Sequence, residues 1–150
     1  MAWPVERMSR LQSPALHLVA SNDLAEIGRI APVIEKFCAE RGLGGNVAHA
    51  VNLALDELLT NTISYGYDDA AQHLIDIALT LTRERLTVTI RDDAAPFDPT
   101  TAAAPDLDAK IDERAIGGLG IHIVRTMMDQ VEYRRVSGHN ELTLTKFLET

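Results

Sequence analysis

Leu74-Ile75-Asp76-Ile77-Ala78-Leu79-Thr80-Leu81-Thr82-Arg83-Glu84-Arg85-Leu86-Thr87-Val88-Thr89-Ile90-Arg91-Asp92 holds two runs of strict alternation. In the first, Ile75, Ile77, Leu79 and Leu81 are apolar, with Asp76, Ala78, Thr80 and Thr82 as the intervening residues. In the second, Leu86, Val88 and Ile90 form the apolar set. Strand side chains point alternately to two faces, so the pattern predicts strands over 74–82 and 86–92 with one face buried and one in water. Arg83-Glu84-Arg85 is a short connection, which makes the pair a hairpin. Asp92 continues the even-numbered apolar phase, so its carboxylate points to the buried side at the strand's end.

Helical spacing surrounds this hairpin. Upstream, 16–20 reads as a short strand. Ser21, Asn22 and Asp23 follow as N-cap side chains, with Glu26 as capping partner. Leu24, Ile27, Ile30, Ile34 and Phe37 then recur at spacings of three and four, ended by Gly42, Gly44 and Gly45. Pro32 inside this helix predicts a kink or break. A second helix is expected from about Asn46 to Tyr65, with Val51, Leu55, Leu58, Leu59 and Thr62 on one side and Gly66 closing it. Downstream, 94–116 is a segment rich in Ala, Pro and Asp, too long for an ordinary loop and of the kind that often forms a lid. Gly117-Gly118-Leu119-Gly120 opens a third helix, about 121–130. Strands near 131–136 and 141–148 end the chain, joined by a turn at Ser137-Gly138-His139-Asn140. Three helices and five strands in segregated blocks, with one apolar sheet face, predict a two-layer α+β sandwich with the helices on that face only.

Bulk properties narrow the function. The 150 residues suit one domain, read as an irregular segment over 1–14 and a single domain over 15–150. A net charge of −8 argues against nonspecific binding to nucleic acid or to anionic membrane. The only cysteine, Cys38, cannot form an internal disulfide and is read as a small buried hydrophobe. No apolar run reaches the roughly 18 residues that cross a bilayer, and the first residues lack a signal-peptide core. The expected setting is therefore the cytoplasm. The five histidines show no metal-ligand spacing.

Three constellations carry chemistry. Glu57 and Asn61, four apart, share a face at the edge of the apolar stripe of the second helix. An amide oxygen suits Mg²⁺, and a carboxylate can take a proton from a nucleophile. A solvated helix edge has the same spacing. Asp92 needs a donor if buried, and the exocyclic amine of adenine is one; an end-of-strand turn is the alternative. Gly117, Gly118 and Gly120 before a helix let backbone N–H groups approach phosphates, or form a flexible loop.

The order of the three is more specific than any one. Leu53-Ala54-Leu55-Asp56-Glu57-Leu58-Leu59-Thr60-Asn61, then 91–99 with its Pro-Phe-Asp-Pro tail, then Gly117 to Asp129 resemble the N box and two glycine boxes of the GHKL ATPases. The details look most like the anti-sigma-factor serine/threonine kinases, over about residues 16–148. The resemblance implies a Bergerat (histidine-kinase-like ATPase) sandwich with a mixed, mostly antiparallel sheet. It implies that ATP is held by Asn61, Asp92, Ala94, Phe97, Gly117, Gly118, Leu119, Gly120 and Ile121. It further implies that Asn61 coordinates Mg²⁺ and that Glu57 deprotonates a serine or threonine on a partner. The implied partners are an anti-anti-sigma antagonist and, in competition, a sigma factor, with no direct role for nucleic acid or membrane. Proteins of this kind often work as homodimers.

The sequence departs from the family pattern at Ala94, where glycine is usual, with Ala95 after it. This raises the alternative of a non-catalytic or weakly nucleotide-binding module that sequesters its partner. Tyr65 stands where histidine or lysine is common. Lys110 and Arg114 in the lid are either phosphate contacts or solvated charges, and Asp98 and Pro99 shape the lid entrance.

Overall fold

A computed structural model describes residues 14–101 and 118–149, with side chains from Gly120 onward in the second stretch. The expectations for residues 1–13, for most of the lid with Lys110 and Arg114, for Gly117 and for the Leu119 side chain lie outside these residues.

The elements run β1 (Leu16–Ser21), α1 (Ala25–Glu40), α2 (Gly45–Tyr65), β2 (Leu74–Leu81), β3 (Arg85–Asp92), a single 3₁₀ turn (Pro99–Thr101), α3 (Gly118–Met127), β4 (Gln130–Val136) and β5 (His139–Phe147). The strands form one sheet in the order β1-β2-β3-β5-β4. The mixed, mostly antiparallel sheet expected above is antiparallel in all four pairings. The helices cover one face, as the alternation requires.

Register organises that face into rows. Leu16, Leu79, Val88, Leu144 and Val131 stand opposite one another across the five strands, and Leu18, Ile77, Ile90, Leu142 and Tyr133 form the next row. These rows meet Ile30, Ile34 and Phe37 of α1, Val51, Leu55 and Leu59 of α2, and Ile121 and Val124 of α3 in one core. One step further along β3, β5 and β4 the same face turns polar, with Asp92 opposite Asn140 and Asn140 opposite Arg135. The candidate site begins at that third row.

The outer face is less open to water than alternation predicted. Asp76, Ala78, Arg91, Glu141 and Thr145 are buried on it. Asp76, Arg91, Glu141 and Arg134 stand in one cross-strand row. Arg91 Nε lies 3.4 Å from Glu141 Oε2, Arg134 Nε donates to Glu141 Oε1 at 3.0 Å, and His17 Nε2 is 3.0 Å from Asp76 Oδ1. Opposite charges facing one another across strands let Asp76, Arg91 and Glu141 be buried, with Arg134 exposed at the edge.

Local departures have local causes. Pro32 lies inside α1 without breaking it. The first turn of α1 is capped by Asp23, whose Oδ1 accepts the Ala25 N–H, while Glu26 Oε1 reaches back to the Ser21 N–H. Leu24, expected in the core, is 52 % exposed ahead of the helix. Burial raises the Cys38 thiol pKa, as befits a small core residue. The helix expected over 121–130 begins at Gly118 and stops at Met127, because Lys146 Nζ donates to the Met127 carbonyl and the Asp129 N–H is drawn to Thr145 of β5. The last turn is two residues rather than four. Ser137 and Gly138 both take positive φ (51° and 80°), and His139 and Asn140 belong to β5.

Candidate functional site

Asp92 ends β3 on the helix side and is 5 % exposed. Its Oδ1 accepts the Ala94 N–H at 3.1 Å and Asn140 Nδ2 at 2.9 Å. Burial raises the carboxyl pKa, opposed by these two bonds and by the charge of Arg135. Oδ2 has no hydrogen-bond partner among the described residues. Asp92 lines a cavity of about 260 Å³ between the C-terminal half of α2, the ends of β3, β4 and β5, and residues 94–99. The walls are mainly apolar, with Asn61, Thr62, Asp92 and Asn140 as polar points, the composition of a small-molecule site. Phe97 and Tyr65 stand at its mouth, 44 % and 62 % exposed.

Ala94 occupies the position where glycine was expected without a left-handed backbone, since Ser137 has the only positive φ among the described non-glycine residues. Its methyl is buried. The room comes from Gly66: a Cβ there would stand 2.8 Å from the Ala94 methyl and 2.6 Å from the Thr62 carbonyl oxygen. The segment is also fixed at its carbonyls and N–H groups. Ala95 N–H donates to the Gly66 carbonyl at 2.9 Å, and Arg135 Nη1 donates to the Ala94 carbonyl at 2.8 Å. Asp98 Oδ1 accepts the Thr100 N–H at 2.8 Å and closes the turn into the 3₁₀ segment.

Asn61 lies on the cavity wall, and its Nδ2 is buried with no hydrogen-bond partner among the described residues. Its amide oxygen is a hard donor of the type Mg²⁺ takes. No cluster of three or more His, Cys, Asp or Glu side chains among the described residues could hold a metal. A single protein oxygen completed by water and phosphate is the arrangement Mg²⁺ favours, so the residues fit that ion. Glu57, one turn earlier, is half-buried and lies outside the cavity. Its carboxylate abuts Gly120, where an added Cβ would contact Oε2 and stand 3.2 Å from the carboxyl carbon. The N box and the second glycine box therefore meet. Gly118 and Gly120 lie in the first turn of α3, whose N–H groups have no intrahelical acceptor. Ile121 is 1 % exposed in the core, so only its backbone is available to a ligand.

Sequence reasoning missed Asn140, Arg135 and Gly66. Reading Ser137-Gly138 as a two-residue hairpin turn would have put Asn140 on β5, opposite Arg135 and in phase with the inward Leu142 and Leu144. It also missed a cluster beside the cavity. His73 Nε2 is 2.8 Å from Asp69 Oδ1, His73 Nδ1 is 3.1 Å from Asp93, and the ring stacks on Tyr67 at 4.2 Å. The Tyr67 hydroxyl is buried without a partner among the described residues; desolvation, then Asp92, Asp93 and Asp69, push its pKa far up. Asp69 and Asp93 raise the pKa of His73. A raised histidine pKa stabilises the fold below the unfolded value near 6.5, and the stabilisation is lost as pH rises through the folded value. The gap in melting temperature between the wild type and His73→Ala should thus be widest at pH 5.5 and shrink towards pH 8.5. A gap independent of pH would remove the ion pairs from this account.

A family model for the histidine kinase-like ATPase domain matches residues 20–146. The chain is 35 % identical over 95 residues to the serine/threonine-protein kinase BtrW of Bordetella bronchiseptica, covering 63 % of this chain and 67 % of that protein. It is 29 % identical over 108 residues to the serine-protein kinase RsbW of Halalkalibacterium halodurans, covering 66 % and 62 %. It is 26 % identical over 129 residues to RsbW of Bacillus subtilis, covering 81 % and 78 %.

Proposed function

As the chain belongs to the histidine kinase-like ATPase family, we propose that it is a protein serine/threonine kinase that uses Mg-ATP to phosphorylate an anti-anti-sigma antagonist, and that it holds a sigma factor when the antagonist is released. The observation that carries this reading is the meeting of Glu57 with Gly120, one helical turn from Asn61 and beside the Asp92 cavity. The names of the relatives supply the reaction class; the partners, the cytoplasmic setting and a homodimeric assembly are part of the same proposal.

In this reading Asp92 Oδ2 accepts the exocyclic amine of adenine. The free N–H groups opening α3 receive the phosphates. Asn61 Oδ1 would hold Mg²⁺, which supplies charge neutralisation on the phosphate oxygens. Glu57 takes the proton of the partner's hydroxyl as its oxygen bonds to the γ-phosphorus and the bond to ADP breaks. The packing of the Ala94 methyl against Gly66 favours a working nucleotide site over the sequestering module that Ala94 and Ala95 raised.

The test is incubation with γ-labelled Mg-ATP and a purified antagonist. The expected result is label on a serine or threonine of the antagonist. Partner binding without transfer, together with no ATP binding at millimolar concentration, would overturn the kinase reading in favour of sequestration alone.

A further inference from the structure

On the helix-facing side of the sheet, the row after Leu18, Ile77, Ile90, Leu142 and Tyr133 is Asp92, Asn140 and Arg135. Asn140 is 7 % exposed and fully engaged. Its Nδ2 donates to Asp92 Oδ1 at 2.9 Å and faces the carbonyls of Ala95 at 3.0 Å and Ala94 at 3.3 Å. Its Oδ1 accepts the Tyr133 hydroxyl at 2.6 Å. The opposite amide orientation would set its oxygen against three acceptors, so the donor side can only face Asp92.

We propose that Asn140 is the positioning residue that sets base selectivity, holding Asp92 with one oxygen satisfied and the other presented to the cavity purely as an acceptor, so that a purine with an exocyclic amine is taken and one with a carbonyl there is refused. This rests on the ATP reading above. The alternative state of Asp92 is a carboxylic acid with its proton on Oδ2. That group would donate into the cavity and accept hypoxanthine or guanine, whose position 6 carries a carbonyl. Asn140 decides between the two because it donates to the ionised form. The other charged or titratable groups facing Asp92 are Asp93, next in the chain, which favours the acid, Arg135 of β4, which favours the carboxylate, and the Tyr67 phenol, which stays neutral. His73 lies behind Asp93. Without Asn140, burial and Asp93 face only the Ala94 N–H and Arg135.

The experiment is calorimetric titration of the full chain with Mg-ATP and Mg-ITP, which differ in this amine and carbonyl, between pH 6 and pH 8.5. Wild type is expected to prefer ATP throughout. In Asn140→Ala, ATP affinity should fall about tenfold from pH 8.5 to pH 6, the weight of one hydrogen bond to a charged group. The preference over ITP should narrow most at pH 6. Asn140→Thr, which keeps one donor, should recover part of both effects and carries the test if the alanine variant does not fold. A purely structural role would weaken both nucleotides equally at every pH, and that result overturns the proposal. Wild type that binds no ATP would instead sink the reading beneath it, and the proposal with it.

Discussion

Glu57→Gln is expected to bind Mg-ATP as the wild type does but to transfer its phosphoryl group roughly 10²–10⁴-fold more slowly, the usual weight of a general base. Binding survives because Glu57 lies outside the cavity that Asp92 and Asn61 line. Removing one negative charge beside the opening of α3 changes affinity at most about fivefold, the scale of a partly solvated charge interaction. Transfer falls because glutamine keeps the shape, and with it the contact to Gly120, but cannot accept a proton. The pair of measurements is calorimetry for binding and single-turnover transfer to the antagonist. Equal transfer rates would remove Glu57 from the role of base, and parallel loss of binding would show that it holds the nucleotide instead.

Asp92→Asn is expected to have the second large effect, on binding rather than transfer. The asparagine oxygen would take the place of Oδ1, accepting from Ala94 N–H and Asn140 Nδ2. Its NH₂ would then point into the cavity where the adenine amine also donates. A lost hydrogen bond to a charged group is worth ~1.5–3 kcal/mol and an unmatched buried donor ~1–3 kcal/mol more, together roughly 10²–10⁴-fold in affinity. The fold should be spared, because the partners that hold 92–95 remain satisfied. Calorimetry with Mg-ATP measures the first statement and thermal unfolding the second. ATP binding within tenfold of wild type would place the base elsewhere.

How far the sequence carried this picture depends on what each feature needs. The alternation in β2 and β3 is a property of one strand at a time, and both strands stand where the pattern put them, within one residue at each end. The same holds for α2. The inward phase of Asp92 was legible for that reason. The partner of Asp92 was not, because Ser137-Gly138-His139-Asn140 is wholly polar and reads as one turn. Asn140 is polar on an inward position since it faces the site rather than the core. The burial of Asp76, Arg91 and Glu141 was illegible because it is a property of three adjacent strands, visible only once their register is known. The His73 cluster was illegible for the same reason: Asp69 is on its own loop, but Asp93 comes from 20 residues away.

The two-residue turn at Ser137 and Gly138 acts as a ruler for the last hairpin. It sets Asn140 against Arg135 and, through the same register, Leu142 against Tyr133 and Leu144 against Val131. A slip of one residue in β4–β5 pairing would turn the β4 side chains to the wrong face, and a slip of two would take Arg135 away from Asn140 and Tyr133 away from Leu142. One wall of the cavity and one edge of the core are therefore measured off from the same origin. A chain that mispairs here loses packing on β4 together with that cavity wall, so it is exposed as misfolded rather than persisting as a well-folded protein with a damaged pocket.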